Sequence, residues 1–269
     1  MTTEHATQFT PIRALTPHDR FGRLIERRDG VDFPFYNGDP LELSVGKWLL
    51  VWLSAAAGIA ALMLIPQPNN FVALLPRALF VAIPLGVLAL VAGRHFTALF
   101  RRVRLVDVGN MFFFAGLNIA ITFVVGAIVS FFFPVSANAT ISSAGSGGAL
   151  DTIALYLGSG IQLIGEELFV VLPFLALLYF FFAKAGLSRK TAIVLAWIIS
   201  AVWFGAAHLP TYDWNVVQAI VVIGSARIAL TLAYIRTKNL WVSAGAHIIN
   251  DWVFITVAVV TAAATTVGN

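Results

Sequence analysis

The sequence predicts an all-α, polytopic integral membrane protein with about seven transmembrane helices. Of its 269 residues, 59% are hydrophobic and only 11% are charged, and the mean hydropathy is +0.87. A water-soluble domain of this size contains roughly 25% charged residues and less apolar sequence. Seven apolar stretches are long enough for a helix that crosses a bilayer; they occupy residues 45–65, 71–93, 111–133, 153–183, 191–209, 215–235 and 240–264.

The positive charges predict how these helices alternate across the membrane. Fifteen of the 17 lysine and arginine residues lie in residues 1–47, 94–104, 184–190 and 236–238, which share one side of the bilayer if seven helices alternate. The opposite connections, 66–70, 134–152 and 210–214, contain none. The positive-inside rule therefore predicts a cell-membrane protein with a cytoplasmic N-terminus and an external C-terminus.

The composition also excludes several classes of function. The sequence contains no cysteine, which rules out a disulfide scaffold, an iron–sulfur site and a thiol nucleophile within it. The net charge of +4 comes from basic residues in short connections between apolar stretches, so it does not indicate a nucleic-acid partner.

The chain divides into three parts. Residues 1–44 are polar and contain four prolines, which predicts a loosely structured cytoplasmic tail or interfacial arm, with Phe33, Phe35 and Tyr36 at the level of the lipid headgroups. Residues 45–152 hold the first three membrane helices and their loops; there we expect Arg77 to snorkel to the membrane surface and residues 94–104 to form a short surface helix. Residues 153–269 form a catalytic-type helical core of four membrane helices.

Five costly side chains lie in the apolar helices of this third part. They are Glu166, Glu167, His208, His247 and Asp251. A charged group at the centre of a membrane helix costs about 2.5–3.5 kcal/mol even on lenient scales, so such groups are expected to face a bundle interior or a wet cavity. Each of them alone could instead serve only as a hydrogen bond between helices.

Counting residues from the basic turns predicts that these groups meet. Glu166 lies 18 residues before Lys184, and His208 lies 18 residues after Lys190. At 1.5 Å per residue both are about 27 Å from the same turn. His247 and Asp251 are only about 14 and 20 Å from their own turn, a mismatch that helix tilt or a deeper turn must absorb.

Helical spacing assigns faces to the side chains. His247 and Asp251 are four residues apart and share one face, as do Phe204 and His208. Glu166 and Glu167 diverge by about 100° around the helix axis, so one should face the cavity and the other should bind a neighbouring helix.

Arg227 is the one basic residue in the middle of an apolar helix. It is about 14 Å from the basic turn, too deep to snorkel easily. We therefore predict that it pairs with Glu167 or Asp251.

The order of these residues resembles the CPBP family of CAAX-processing and bacteriocin-processing intramembrane proteases, also called the Abi family. The likeness rests on Glu166-Glu167, Phe204-x-x-x-His208 and His247-x-x-x-Asp251, and it covers residues 153–255. Two positions depart from the family pattern. Val171 stands where an arginine usually follows the two glutamates, and Asp251 stands where asparagine is more usual, with Asn250 one place earlier.

The resemblance implies an intramembrane endopeptidase that cleaves a membrane-associated or lipidated substrate. Glu166 would polarise the attacking water with help from His208. His247 and Asp251 would position the water or stabilise the oxyanion, with Asp251 more suited to orienting His247. Glu167, the fifth residue of the catalytic set, would be structural or would support a residue that contacts the substrate.

Three alternatives stay open. Glu166, His208, His247 and Asp251 are also a suitable donor set for zinc, although a metal-free reaction is favoured. The absence of the arginine favours an inactive, immunity-type membrane protein. The intramembrane charges are also compatible with an ion-coupled or proton-coupled transporter. In every case the lipid bilayer is a partner, and for a protease a membrane-bound peptide or protein is another.

Overall fold

The computed structural model describes residues 10–138, 141, 142, 144 and 147–267. This described part is helical without strands, and seven of its helices are long and apolar enough to cross a membrane, which confirms the predicted fold class. We number the α-helical parts of these seven spans α1 (Val45–Leu64), α2 (Leu74–Ala92), α3 (Leu105–Phe132), α4 (Ala149–Tyr179), α5 (Arg189–Ala207), α6 (Gly224–Thr237) and α7 (Leu240–Val267). The ends of the predicted tail and core, residues 1–9 and 268–269, lie outside the described residues.

Helix α4 is the centre of the bundle. In its most apolar stretch of 18 residues about 78% is buried, whereas the corresponding stretches of α1, α2, α3, α5 and α7 are 22–39% buried. A π-helical turn, Phe180–Lys184, extends it at one end, and another, Gln218–Ile223, precedes α6. We call the end of the bundle that carries residues 94–104, 184–190 and 236–238 the basic end, and the end with residues 66–70, 134–138 and 210–214 the opposite end.

The short helix predicted over residues 94–104 is confirmed only in part, because residues 100–104 are not helical. Residues Gly93–Leu99 form a 3-10 helix, and α3 begins at Leu105, six residues earlier than expected. The early start has a local cause, because the Asp107 carboxylate accepts a hydrogen bond of 2.8 Å from the Arg104 backbone nitrogen. A carboxylate in the first turn satisfies a free backbone N–H and favours a helix start there.

Residues 10–44 are not a loosely structured arm. Phe33, Phe35 and Tyr36 have at most 2% of their surface exposed and pack in the protein core rather than at the headgroups. The sequence pattern misses this because the segment has little regular secondary structure, so no periodicity marks its buried side chains.

A buried ion cluster attaches this segment to the basic end. Arg189 donates to both carboxylate oxygens of Glu26 at 2.9 and 2.7 Å and to Asp32 at 2.5 Å, and Lys238 binds Glu26. Burial by itself would raise the pKa of Glu26, but the hydrogen bonds and charges of Arg189 and Lys238 outweigh it and lower that pKa to about 2. The cluster joins the start of α5 and the α6–α7 turn to one segment of coil.

Candidate active site

A cavity of about 380 Å³ lies inside the bundle and reaches the opposite end. Four of the five residues singled out in the sequence line it: Glu166, His208, His247 and Asp251. The fifth, Glu167, is fully buried beside it. Counting from the basic turns therefore predicted a real convergence. Residue counting places the α6–α7 turn closer to His247 than the other basic turn is to Glu166. This turn contains Lys238, which is itself buried and bound to Glu26.

The two adjacent glutamates face in different directions, as their angular offset predicts. Glu166 is turned to the cavity, where Gln162 donates a hydrogen bond of 2.9 Å to its Oε1. Gln162 escaped notice in the sequence, although it lies one helical turn before Glu166 on the same face. Its amide fixes one carboxylate oxygen and leaves the other directed towards His247.

Glu167 is held by Arg227, as one of the two predicted pairings requires. Arg227 Nη1 and Nη2 donate to Glu167 Oε1 and Oε2 at 2.6 and 2.8 Å, and Arg227 Nε donates to Thr231 Oγ1 at 3.1 Å. Neither charged side chain has exposed surface. Val171, which stands where the family motif usually has an arginine, is buried in an apolar cluster, and the cation that binds Glu167 lies on α6.

His247 is oriented by Glu167. Its Nδ1 lies 2.9 Å from Glu167 Oε1, and because an ionised carboxylate can only accept, Nδ1 carries the proton. Its Nε2 lies 3.8 Å from Glu166 Oε2 and 3.8 Å from Asp251 Oδ1, beyond direct hydrogen-bond distance. Of the two carboxylates, Glu167 makes the closer contact with His247, and the expected orienting role of Asp251 stays a prediction.

Asp251 belongs to a chain of amides. Asn250 Nδ2 donates to Asp251 Oδ1 at 2.8 Å, and Asn118 Nδ2 donates to Asn250 Oδ1 at 3.0 Å. Asn118 is a buried polar residue of α3 that also lines the cavity, and it was missed in the sequence. The signal was present, because an asparagine inside an apolar membrane helix is expected to find a partner.

His208 lies at the C-terminal end of α5. Its Nδ1 is 2.9 Å from the Phe204 carbonyl oxygen, which can only accept, so Nε2 is the nitrogen left for other partners. The Phe204 ring packs between the two histidines, with its centroid 4.4 Å from that of His208 and 6.2 Å from that of His247. Phe204 also lies under the Arg227 guanidinium at 5.1 Å, so its ring contacts three members of the site.

The zinc donor set is not assembled in this structure. Across the residues that the structure describes, no group of three or more histidine, aspartate and glutamate side chains is arranged to hold a metal ion. We therefore derive no chemical step through a metal.

Arg77 does not snorkel to the membrane surface. It is 7% exposed and lines the same cavity as Glu166. The apolar sequence around it gave no indication that it turns inward.

Part of the chain matches a known protein family. Residues 148–253 match the family described as "Type II CAAX prenyl endopeptidase Rce1-like". The matched range contains every site residue singled out in the sequence and excludes α1, α2 and α3. No curated protein and no solved structure matches the chain at a significant level.

Proposed function

We propose that the chain is an intramembrane endopeptidase, and the match of residues 148–253 to the Rce1-like CAAX endopeptidase family supports this. It hydrolyses a peptide bond of a membrane-associated or lipidated substrate with a water molecule that Glu166 activates. The observation that carries the proposal is the different environment of the two adjacent glutamates. Glu167 is neutralised by Arg227, whereas Glu166 faces the cavity with a single amide partner, Gln162.

Because of this difference, the two carboxylates have different roles in the reaction. A general base needs a free oxygen within reach of the water that it deprotonates, directly or through one further water. Glu166 Oε2 meets that need, and His247 Nε2 lies 3.8 Å from it. Glu167 cannot serve as the base, because both its oxygens are bound by Arg227 and one also binds His247.

The reaction then proceeds in two steps. The water oxygen attacks the carbonyl carbon of the substrate while one water proton passes to Glu166. The resulting tetrahedral oxyanion accepts hydrogen bonds from the imidazoles of His208 and His247 when their Nε2 atoms are protonated. Glu166 next returns its proton to the peptide nitrogen, the carbon–nitrogen bond breaks, and a carboxylic acid and an amine are released.

The neutral form of His247 has a second use. With Nδ1 protonated, its Nε2 accepts a hydrogen bond and positions the attacking water. The Arg227–Glu167–His247 chain of contacts holds the ring in place during both steps. Arg227 thereby takes the role that an arginine at position 171 would have in the family motif. This supports an active site rather than an inactive one.

The substrate enters from the opposite end of the bundle. Asn138, Ile141, Thr211 and Tyr212, which line the cavity, all belong to the connections at that end. With the predicted orientation this is the external face of the membrane.

The test is cleavage by the purified chain in lipid vesicles. The probes are peptides with an N-terminal acyl chain, and products are read by mass spectrometry. Glu166→Gln keeps the side-chain volume and removes the base, so it should abolish cleavage without lowering the melting temperature. Glu42→Gln makes the same change at a half-exposed position remote from the cavity and should cleave normally. Cleavage that persists in folded Glu166→Gln would assign the base elsewhere, and a wild-type chain that cleaves none of the peptides would remove the proposal.

A further inference from the structure

Arg77 is a buried cation whose hydrogen-bonding capacity is largely unused. It is 7% exposed, and within the described chain its Nε and Nη1 atoms have no hydrogen-bond partner. Its Nη2 donates one long bond of 3.4 Å to Asn70 Oδ1. Asn70 in turn donates to Asp151 at 2.9 Å, so the nearest acid is bound to the amide and not to the guanidinium. A buried charge without a partner is costly, which calls for a reason.

The surroundings of Arg77 keep room for its guanidinium. It packs against Gly158 of α4, where a β-carbon would overlap Arg77 Nη1. No acidic residue occurs between residues 134 and 147, so this connection supplies no counter-charge from its sequence. The guanidinium therefore lies on the wall of the cavity that holds Glu166, and its counter-charge Asp151 is hydrogen-bonded to Asn70 rather than to the guanidinium itself.

We propose that Arg77 is an anion subsite that binds a carboxylate of the peptide substrate. The inference rests on the proposed peptidase, whose substrate carries carboxylates at its C-terminus and on its acidic side chains. A guanidinium binds a carboxylate in two-point geometry. The two unpaired nitrogen atoms of Arg77 are buried in the free chain and become available when the side chain turns towards the cavity. Entry of the substrate would give the buried charge the partner that the free protein lacks.

The position of the subsite predicts its distance from the cleaved bond. Gly158 lies eight residues before Glu166 on α4, which places the guanidinium about 12 Å along the helix axis from the base. An extended peptide advances about 3.3 Å per residue, so this distance corresponds to three or four residues. Because α4 runs from the opposite end to the basic end, the carboxylate would lie nearer the cavity entrance than the bond that is cut.

The experiment measures binding and so does not require turnover. The probes are three fluorescent, N-acylated octapeptides of alanine and valine: one with a free C-terminal carboxylate, one with a C-terminal amide, and one with an amide and an aspartate four residues from the end. They are titrated against the full chain in lipid nanodiscs. In wild type, one or both carboxylate peptides should bind at least about 10-fold tighter than the peptide without a carboxylate. Tighter binding of the first peptide would show that the subsite binds a C-terminal carboxylate. Tighter binding of the third would show that it binds an aspartate side chain.

Matched variants separate a subsite from a structural role. Arg77→Gln should bind all three peptides with the affinity of the peptide without a carboxylate, and Arg77→Lys should retain part of the preference. Gly158→Ala should weaken the preference by displacing the guanidinium, and Arg102→Gln, an exposed cation at the basic end, should leave it unchanged. Equal binding of the three peptides in wild type, or a preference that survives in folded Arg77→Gln, would overturn the proposal.

The same titration distinguishes this proposal from the peptidase itself. Glu166→Gln should keep the carboxylate preference, because the base does not contact the subsite. A chain that prefers the carboxylate peptides yet cleaves nothing would retain the subsite and lose the proposed function. A chain that cleaves peptides but binds all three forms with equal affinity would support the proposed function and exclude the subsite.

Discussion

Arg227 and Glu167 form a two-point ion pair in the interior of the bundle, with hydrogen bonds of 2.6 and 2.8 Å between residues 60 positions apart. Neither side chain is exposed. Glu167 uses the oxygen that Arg227 Nη1 binds to hold His247 Nδ1 as well. One ion pair therefore joins α4, α6 and α7 and also sets the orientation of an imidazole in the cavity.

Removal of either partner of this pair should be more damaging than removal of both. Arg227→Ala leaves a buried carboxylate unpaired and should lower the free energy of unfolding by about 3–5 kcal/mol. Arg227→Met together with Glu167→Gln leaves no uncompensated charge and should lose less stability. Unfolding in mixed micelles measures both variants. An unchanged free energy of unfolding in Arg227→Ala would mean that the ion pair is solvated and would remove the argument for its role in the site.

The contacts of His247 predict unequal effects for the two residues of the last motif. His247→Ala should lower peptidase activity by about 10²–10⁴-fold, as expected for an acid–base group. Asp251→Asn should retain activity within about tenfold, because Glu167 and not Asp251 makes the close contact that orients the ring. His18→Ala, at an exposed histidine, is the control. Equal losses in the two variants would show that Asp251 acts directly.

Helix α5 should not tolerate a side chain at Gly205. A β-carbon there would lie 2.6 Å from the backbone oxygen of Ala219, which has no rotamer with which to move away. Gly205→Ala should therefore destabilise the protein by about 1–3 kcal/mol and displace Phe204 and His208. The control is Gly116→Ala on α3, where nothing lies within 4 Å of the added carbon. Thermal unfolding and the cleavage rate of both variants test this, and unchanged values for Gly205→Ala would contradict the tight packing.

The stability of the basic end should depend on pH through Glu26. Its pKa is lowered from 4.5 to about 2 in the folded chain, so its contribution is present above its unfolded pKa and is lost as the pH falls towards 2. A shift of that size corresponds to roughly 3 kcal/mol. We expect protease cleavage within residues 10–44 to accelerate from about pH 5 to about pH 3 with an acid-tolerant protease. Glu26→Gln should be cut faster at neutral pH and show a weaker acceleration, and an equal pH response in both proteins would contradict this role.

The orientation of the chain can be tested with single cysteines, because the sequence has none of its own. Gln67→Cys, at the opposite end, should react in whole cells with a membrane-impermeant maleimide, whereas Ala185→Cys, at the basic end, should react only after lysis. Both positions are exposed. The reverse pattern would put the cavity entrance on the cytoplasmic face and would invert the predicted side of substrate access.

The sequence by itself determined the membrane class, the seven helices and most of the charged and histidine side chains that line the cavity. Hydropathy carries this information because every spanning segment must be long and apolar. The cost of a charge in lipid is a second local signal, and it marked Glu166, His247 and Arg227 without any knowledge of their neighbours. Helix rise then placed Glu166 and His208 at one level, since depth depends only on residue count.

Only the tertiary structure decided which side chains contact one another. The partner of Arg227, the residue that orients His247 and the inward direction of Arg77 depend on the rotation and tilt of packed helices, which no residue count contains. The burial of residues 10–44 was hidden for a related reason. The charges that hold Glu26 belong to Arg189 and Lys238, far along the chain, and a polar segment becomes a buried one only where the fold brings those charges to it.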